Sequence, residues 1–199
     1  MTTTPPELIS DLQNAGVPVS DLWELVNGKT AYRAAIPVLL DWLGAVDTRV
    51  PEPDRRKVTE GLVRALTVPA ARPAAAPALI RAFRTADDPS GLGLRWAIGN
   101  ALSVVADDSV FDQIAELVRD RGYGKGRQMT VLALGRSKDP RAASVLTGLL
   151  GDPDVTAHAL MALGKLKPPG VCAAVEPLLD HPQALVRQEA RKTLAKLPP

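Results

Sequence analysis

A nine-residue pattern that ends in Leu-Gly or a close variant returns at steps of about thirty residues. No other feature limits the fold of this chain so strongly. The clearest copies run from Arg127 to Gly135 (Arg-Gln-Met-Thr-Val-Leu-Ala-Leu-Gly) and from Thr156 to Gly164 (Thr-Ala-His-Ala-Leu-Met-Ala-Leu-Gly). Further copies run from Arg187 to Ala195 and from Arg95 to Ser103, and a degenerate one ends at Leu66. Anchoring on the shared leucine gives Leu66, Leu102, Leu134, Leu163 and Leu194, with steps of 36, 32, 29 and 31. A period of this size is that of a two-helix unit joined by tight turns.

The second half of each unit repeats as well. Ala34 to Asp41 (Ala-Ala-Ile-Pro-Val-Leu-Leu-Asp) aligns with Ala173 to Asp180 (Ala-Ala-Val-Glu-Pro-Leu-Leu-Asp), and the segments around Leu79 and Val145 fall at the corresponding places. Apolar residues at spacings of three and four give each such helix one apolar stripe. A hairpin cannot bury both of its apolar faces alone, so neighbouring units must stack.

The punctuation agrees. Asp139-Pro140 and Asp152-Pro153 read as an N-cap acid followed by proline in the first turn. Thr4 to Glu7 has the spacing of a capping box, and Gly16, Gly28 and Gly151 stand where helix C-caps are expected. The resulting helices are expected at 5–15, 20–27, 31–44, 53–67, 72–85, 91–105, 109–121, 125–136, 140–150, 154–165, 169–180 and 184–197. The Pro- and Ala-rich stretch from Val68 to Pro77 reads as a turn that feeds a helix. Residues 1–30 are expected to cap an array that spans 31–197, within one domain.

Composition narrows the class further. Of 199 residues 46% are apolar but only 4% are aromatic, so the core must be made of Ala, Leu and Val, which suits close helix packing. The net charge of +2 is too small to point to nucleic acid by itself. Cys172 is the only cysteine, and the first residues lack the basic and apolar segments of a signal peptide. No apolar run approaches the roughly 20 residues that cross a bilayer. A cytoplasmic, monomeric protein with no membrane association is expected.

These repeats resemble the HEAT family, in particular the short bacterial repeats related to phycobilin-lyase HEAT repeats. The resemblance covers about residues 31–197 and is best from Leu94 onward. It implies an all-α, right-handed α-solenoid of about five to six helical hairpins. It is nearly silent on activity, because such arrays serve as adaptors, scaffolds, chromophore-lyase subunits and, in one bacterial branch, alkylpurine DNA glycosylases. No glycosylase-type aspartate and tryptophan set matches here by motif.

In arrays of that kind the second helices line the concave face. Here they carry Arg81 and Arg84, then Asp112, Glu116, Arg119 and Arg121, then Arg141, Ser144 and Thr147, and finally Glu176 and Asp180. A face of mixed sign suits a protein partner better than a polyanion. The segment from Arg119 to Arg127 alternates glycines with basic residues around Tyr123. It reads either as a phosphate or acidic-loop grip through exposed backbone N–H groups, or as an inter-repeat turn with cations at a helix C-terminus.

Other polar residues have structural readings beside functional ones. Arg136, Lys165, Lys167 and Lys196 fall at helix C-termini, and Asp87, Asp107, Asp139 and Asp152 fall where N-caps belong. Asp107-Asp108 reads as cap plus solvent, or as a metal or acid/base pair. Trp23, Trp42 and Trp96 are packing anchors or base-stacking platforms, with Trp42 partly exposed near its helix exit. Cys172, His158 and His181 have no spacing that makes a nucleophile–base or zinc set. No cofactor or metal is expected.

The sequence therefore points to a non-enzymatic adaptor or scaffold that binds a protein through Arg81, Arg84, Glu116, Arg119, Arg121, Lys125 and Arg141. A nucleic-acid-binding protein and a subunit of a lyase or maturation complex are the alternatives.

Overall fold

In the computed structural model, which describes residues 4–28 and 32–198, every regular element is helical, with no strand among the described residues. The α-helices are α1 (Pro6–Asn14), α2 (Trp23–Asn27), α3 (Ile36–Gly44), α4 (Val46–Arg49), α5 (Arg55–Ala65), α6 (Ala76–Thr85), α7 (Leu94–Val105), α8 (Phe111–Arg119), α9 (Gln128–Leu134), α10 (Ala142–Gly148), α11 (Thr156–Leu166), α12 (Cys172–Val175) and α13 (Ala184–Leu194).

These elements fall on the expected segments with trimmed ends. The segment 31–44 becomes a 3-10 turn, Arg33–Ala35, followed by α3, while residue 31 lies outside the described residues. The segment 169–180 divides into α12 and a 3-10 turn, Glu176–Asp180, where Pro177 removes a backbone donor. Helix α4 was not expected. It is a single turn between Ala45 and Val50, too short for periodicity to reveal.

Local chemistry explains the ends, with corrections. Thr4 does not form a capping box with Glu7. Its hydroxyl accepts from Leu22 N–H and donates to Asp21, which ties the N-terminus of α1 to the approach of α2. Gly16 does close α1 in the left-handed region (φ 82°), with Val17 N–H bonded to Leu12 O. Gly28 is the C-cap of α2, with an extended backbone and its N–H bonded to Glu24 O, whereas Gly151 does not cap α10, whose C-cap is Leu149; the positive-φ glycines among the described residues are Gly16, Gly91, Gly124 and Gly170. Asp88 rather than Asp87 serves α7: its carboxylate accepts from the N–H groups of Gly93 and Arg95 and from Ser90 Oγ. Asp139 and Asp152 each accept an N–H two residues on, from Arg141 and Asp154, but they do so in turns that precede α10 and α11, whose N-caps are Arg141 and Val155.

The longer helices form a series in which α5 packs on α7, α7 on α9, α9 on α11 and α11 on α13. Helices α6, α8 and α10 lie against α7, α9 and α11 respectively. Small residues allow the close approach. A methyl group on Gly99 would stand 2.8 Å from Thr130 Oγ1 and 3.0 Å from its backbone nitrogen. One on Gly135 would stand 3.0 Å from the Ala162 carbonyl oxygen, and Gly164 faces Thr193 in the same way. Leu66, Leu102, Leu134 and Leu163 are all buried in one continuous core. Leu194 is only half-buried.

The first position of the repeat has a shared task. Arg95 donates to the carbonyls of Phe83, Ala86 and Asp88. Arg127 donates to those of Val118 and Gly124, and Arg187 to those of His181 and Pro182. Thr156 does the same at shorter reach, its hydroxyl 2.6 Å from Asp152 O and 3.2 Å from Leu150 O. Each side chain satisfies carbonyls left over where the preceding helix ends.

Two substitutions test this packing. Leu134→Ala should lower stability by about 2–5 kcal/mol, read from the shift in urea midpoint; an unchanged midpoint would contradict the leucine stripe. Gly99→Ala would stabilise an exposed helix by about 1 kcal/mol. Crowding against Thr130 should reverse the sign and cost about 1–3 kcal/mol.

Candidate functional site

Helices α6, α8 and the turn before α10 carry most of the residues expected to meet a partner, and ion pairs link them in sequence. Arg84 Nη2 lies 2.7 Å from Glu116 Oε2, joining α6 to α8. Asp112, one turn before Glu116, lies 2.7 Å from Arg141, which also grips Asp139 at 2.8 Å and stacks its guanidinium 4.6 Å from the Phe111 ring centroid. The hydrogen bond from Arg141, with its charge, holds the Asp139 carboxyl below the usual range, and Asp139 in turn raises the Arg141 pKa.

The Arg84 and Glu116 side chains are 39% and 69% exposed. Exposed pairs of this kind contribute about 0–1 kcal/mol each, so their charges remain available to a partner. Arg81 is exposed on α6 and borders a cleft of about 500 Å³ shared with Arg55, Arg56, Glu52 and Asp87. Arg119 and Arg121 border a smaller cleft with Ser144 and Asp152, where Arg121 Nε lies 3.5 Å from Asp152. Lys125 is exposed, as are Glu176 and Asp180.

The segment from Arg119 to Arg127 is not an open cradle. Residues Arg121–Arg127 form a 3-10 turn with a kink at Gly124 (φ 49°), and Asp120 caps it by accepting Gly122 N–H. Gly91 packs directly on Gly126: a methyl group on Gly91 would stand 2.6 Å from Gly126 N. The Tyr123 ring meets Phe83 edge-on at 5.1 Å, and the Arg95 guanidinium lies 5.0 Å from the Tyr123 centroid. The glycines permit close packing, and the tyrosine is part of it.

Arg127 is wholly buried and cannot reach an external ligand. Its Nη1 lies 2.8 Å from Asp152 Oδ2, whose side chain is 5% exposed. Burial would raise the Asp152 carboxyl. Hydrogen bonds from Arg127 and Asp154 N–H, with the charges of Arg127 and Arg121, outweigh that effect and hold it below the usual carboxylate value. Sequence reasoning placed Arg127 at the end of a basic patch and Asp152 at an N-cap. The repeat register puts Arg95, Arg127 and Arg187 at one position but carries no signal for a partner 25 residues further on.

Other candidates resolve into structural roles. Asp107 caps the turn at Ser109, and Asp108 accepts from Ser137 Oγ and Lys138 N–H, so the double acid joins two units. Trp42 is 3% exposed rather than partly open, its indole N–H donating to Asp11 at 2.9 Å; Trp23 and Trp96 are half-buried. Cys172 Sγ lies 3.6 Å from Pro198 O. His181 Nδ1 accepts from Gln183 N–H. Burial lowers the His158 pKa, against the opposing charge of Glu189. Among the described residues no three His, Cys, Asp or Glu side chains group to hold a metal, and no helix is long and apolar enough to cross a membrane.

No model of a known protein family matches this chain, and no curated protein matches it in sequence.

The buried pair makes a prediction with a defined sign. A carboxylate whose pKa is depressed by folding adds stability above its unfolded value, about 3.9 for Asp, and that stability is lost as pH falls through the folded value. Stability should thus fall on acidification below about pH 4, and Asp152→Asn should flatten that part of the profile. Arg127→Met should cost about 3–5 kcal/mol at neutral pH, because it strands a buried carboxylate. Denaturant midpoints measured across pH for the three proteins provide the check.

Proposed function

We propose that this protein is a non-enzymatic adaptor or scaffold, a HEAT-like solenoid whose α6–α8–α10 side forms the concave face and engages a folded protein domain or a peptide helix. The observation that carries the reading is the alternation of Arg84–Glu116 and Asp112–Arg141 along successive helices. Such a surface offers both signs of charge at the spacing of helices. Its exposed pairs contribute little to folding, so exchanging them for a partner's groups costs little. Complementary charge of this kind governs encounter rate and discrimination among partners more than raw affinity.

Arg81, Arg84, Glu116, Arg119, Arg121, Lys125 and Arg141 are the proposed contact residues, and a monomer acting in a bacterial-type cytoplasm is the proposed setting. The repeat series of α5, α7, α9, α11 and α13 supports the solenoid reading, since each helix meets the next by one recurring contact.

The test is capture of interacting proteins from the native cell, identified by mass spectrometry, with the wild-type chain and with Arg84→Glu/Arg119→Glu. The expected result is a partner retained by the wild type and lost with the variant, while circular dichroism shows unchanged helicity. Retention by both would remove this surface from consideration. Duplex DNA binding whose affinity falls steeply with salt would instead favour a nucleic-acid role.

A further inference from the structure

A second group of cations lies where the carboxyl end of α7 meets the loop before α6 and the end of α9. Arg72 Nε and Arg136 Nη2 both donate to the carbonyl oxygen of Val104, and Arg136 also donates to Ser103 O. Two guanidinium groups are thus held side by side on one neutral oxygen. Among the described residues, no carboxylate lies within ion-pair distance of either, or of Lys138.

Capping α7 does not exhaust these side chains. A guanidinium has five N–H donors. Arg72 uses Nε and Arg136 uses Nη2, and the remaining donors have no partner among the described residues. Both arginines line a cleft of about 360 Å³, together with Lys138 and with Ile114 and Leu134 as apolar wall. Two acids also line it, Asp107 and Asp108; their hydrogen bonds come from neutral Ser109, Ser137 and Lys138 N–H groups, so both keep their charge, and the three cations of the lining exceed them by one.

We propose that this cleft binds the phosphate group of a small molecule, with Arg72 and Arg136 as fork-shaped donors and Lys138 as a third cation. Two guanidinium groups held side by side favour phosphate over a single carboxylate, because arginine forks fit its several oxygens in pairs. The cleft has the size of a small-ligand pocket. The like-charge crowding is visible in the neighbouring groups as well. Burial, and then Arg72, lower the Arg136 pKa; burial, and then Arg136 and Arg72, lower that of Lys165. An anion seated between them would relieve that repulsion.

The experiment is calorimetric titration of the full chain with inorganic pyrophosphate at low salt, for the wild type, Arg72→Gln/Arg136→Gln and Lys138→Gln. Binding by the wild type should weaken at least about tenfold in the double variant, the loss expected when charge-assisted hydrogen bonds are removed. It should weaken about threefold in Lys138→Gln. The Lys138 side chain bonds to no described group, so that variant decides the matter if the double variant fails to fold. Absence of pyrophosphate binding by the wild type, or equal affinity in Lys138→Gln, overturns the proposal. Parallel titrations with succinate and with a short DNA duplex separate the ligand classes. Succinate binding as tightly as pyrophosphate, or a duplex that binds where pyrophosphate does not, would overturn the assignment to a small phosphate ligand.

Discussion

Where a helix ends inside a packed protein, its last carbonyl oxygens are cut off from water, and leaving them unbonded is costly. This chain meets that demand with one donor per unit, at the first position of the repeat. Arg95, Arg127 and Arg187 reach back to the end of the preceding element, and Thr156 replaces them where the reach is short. The close approach of α7, α9 and α11 depends on this arrangement as much as on Gly99, Gly135 and Gly164. Without the donors, tight turns between units would leave polar atoms stranded in the core.

The leucine register was readable because it is a matter of volume. Leu66, Leu102, Leu134 and Leu163 recur where the core must be filled, and they are buried. The turns that lead into α10 and α11 were readable at Asp139 and Asp152, because an aspartate before proline favours a turn, but the helices themselves begin three and four residues later. Polar side chains that act across the repeat were not readable. Thr4 turned from its own helix to Asp21. Asp88 took the capping role expected of its neighbour. Trp42 was drawn inward by Asp11, thirty-one positions away. Such partners are fixed by three-dimensional proximity, which periodicity does not encode.

The candidate site divides along the same line. The exposed charges of α6, α8 and the turn before α10 were found in sequence, because solvent-facing positions follow from the apolar stripe by exclusion. Their mutual pairing was not, since Arg84 and Glu116 belong to different units. The basic turn around Tyr123 read either as a ligand grip or as an inter-repeat turn, because its composition says nothing of burial; the structure makes it the turn, with Arg127 inside and Phe83 against the ring. The cations at Val104 carried the opposite bias. Arg136 read as a cation at a helix C-terminus and Arg72 as part of a turn, and only the shared carbonyl shows that the two converge.

The Arg127–Asp152 contact also governs how this molecule can come apart. It joins a side chain at the start of α9 to one just before α11, so separating those two units would expose an unbalanced charge on each side of the break. The middle of the chain is thereby bound into one cooperative block. Arg187 holds its turn through neutral carbonyls alone, so that turn contains no ion pair that has to break when it opens.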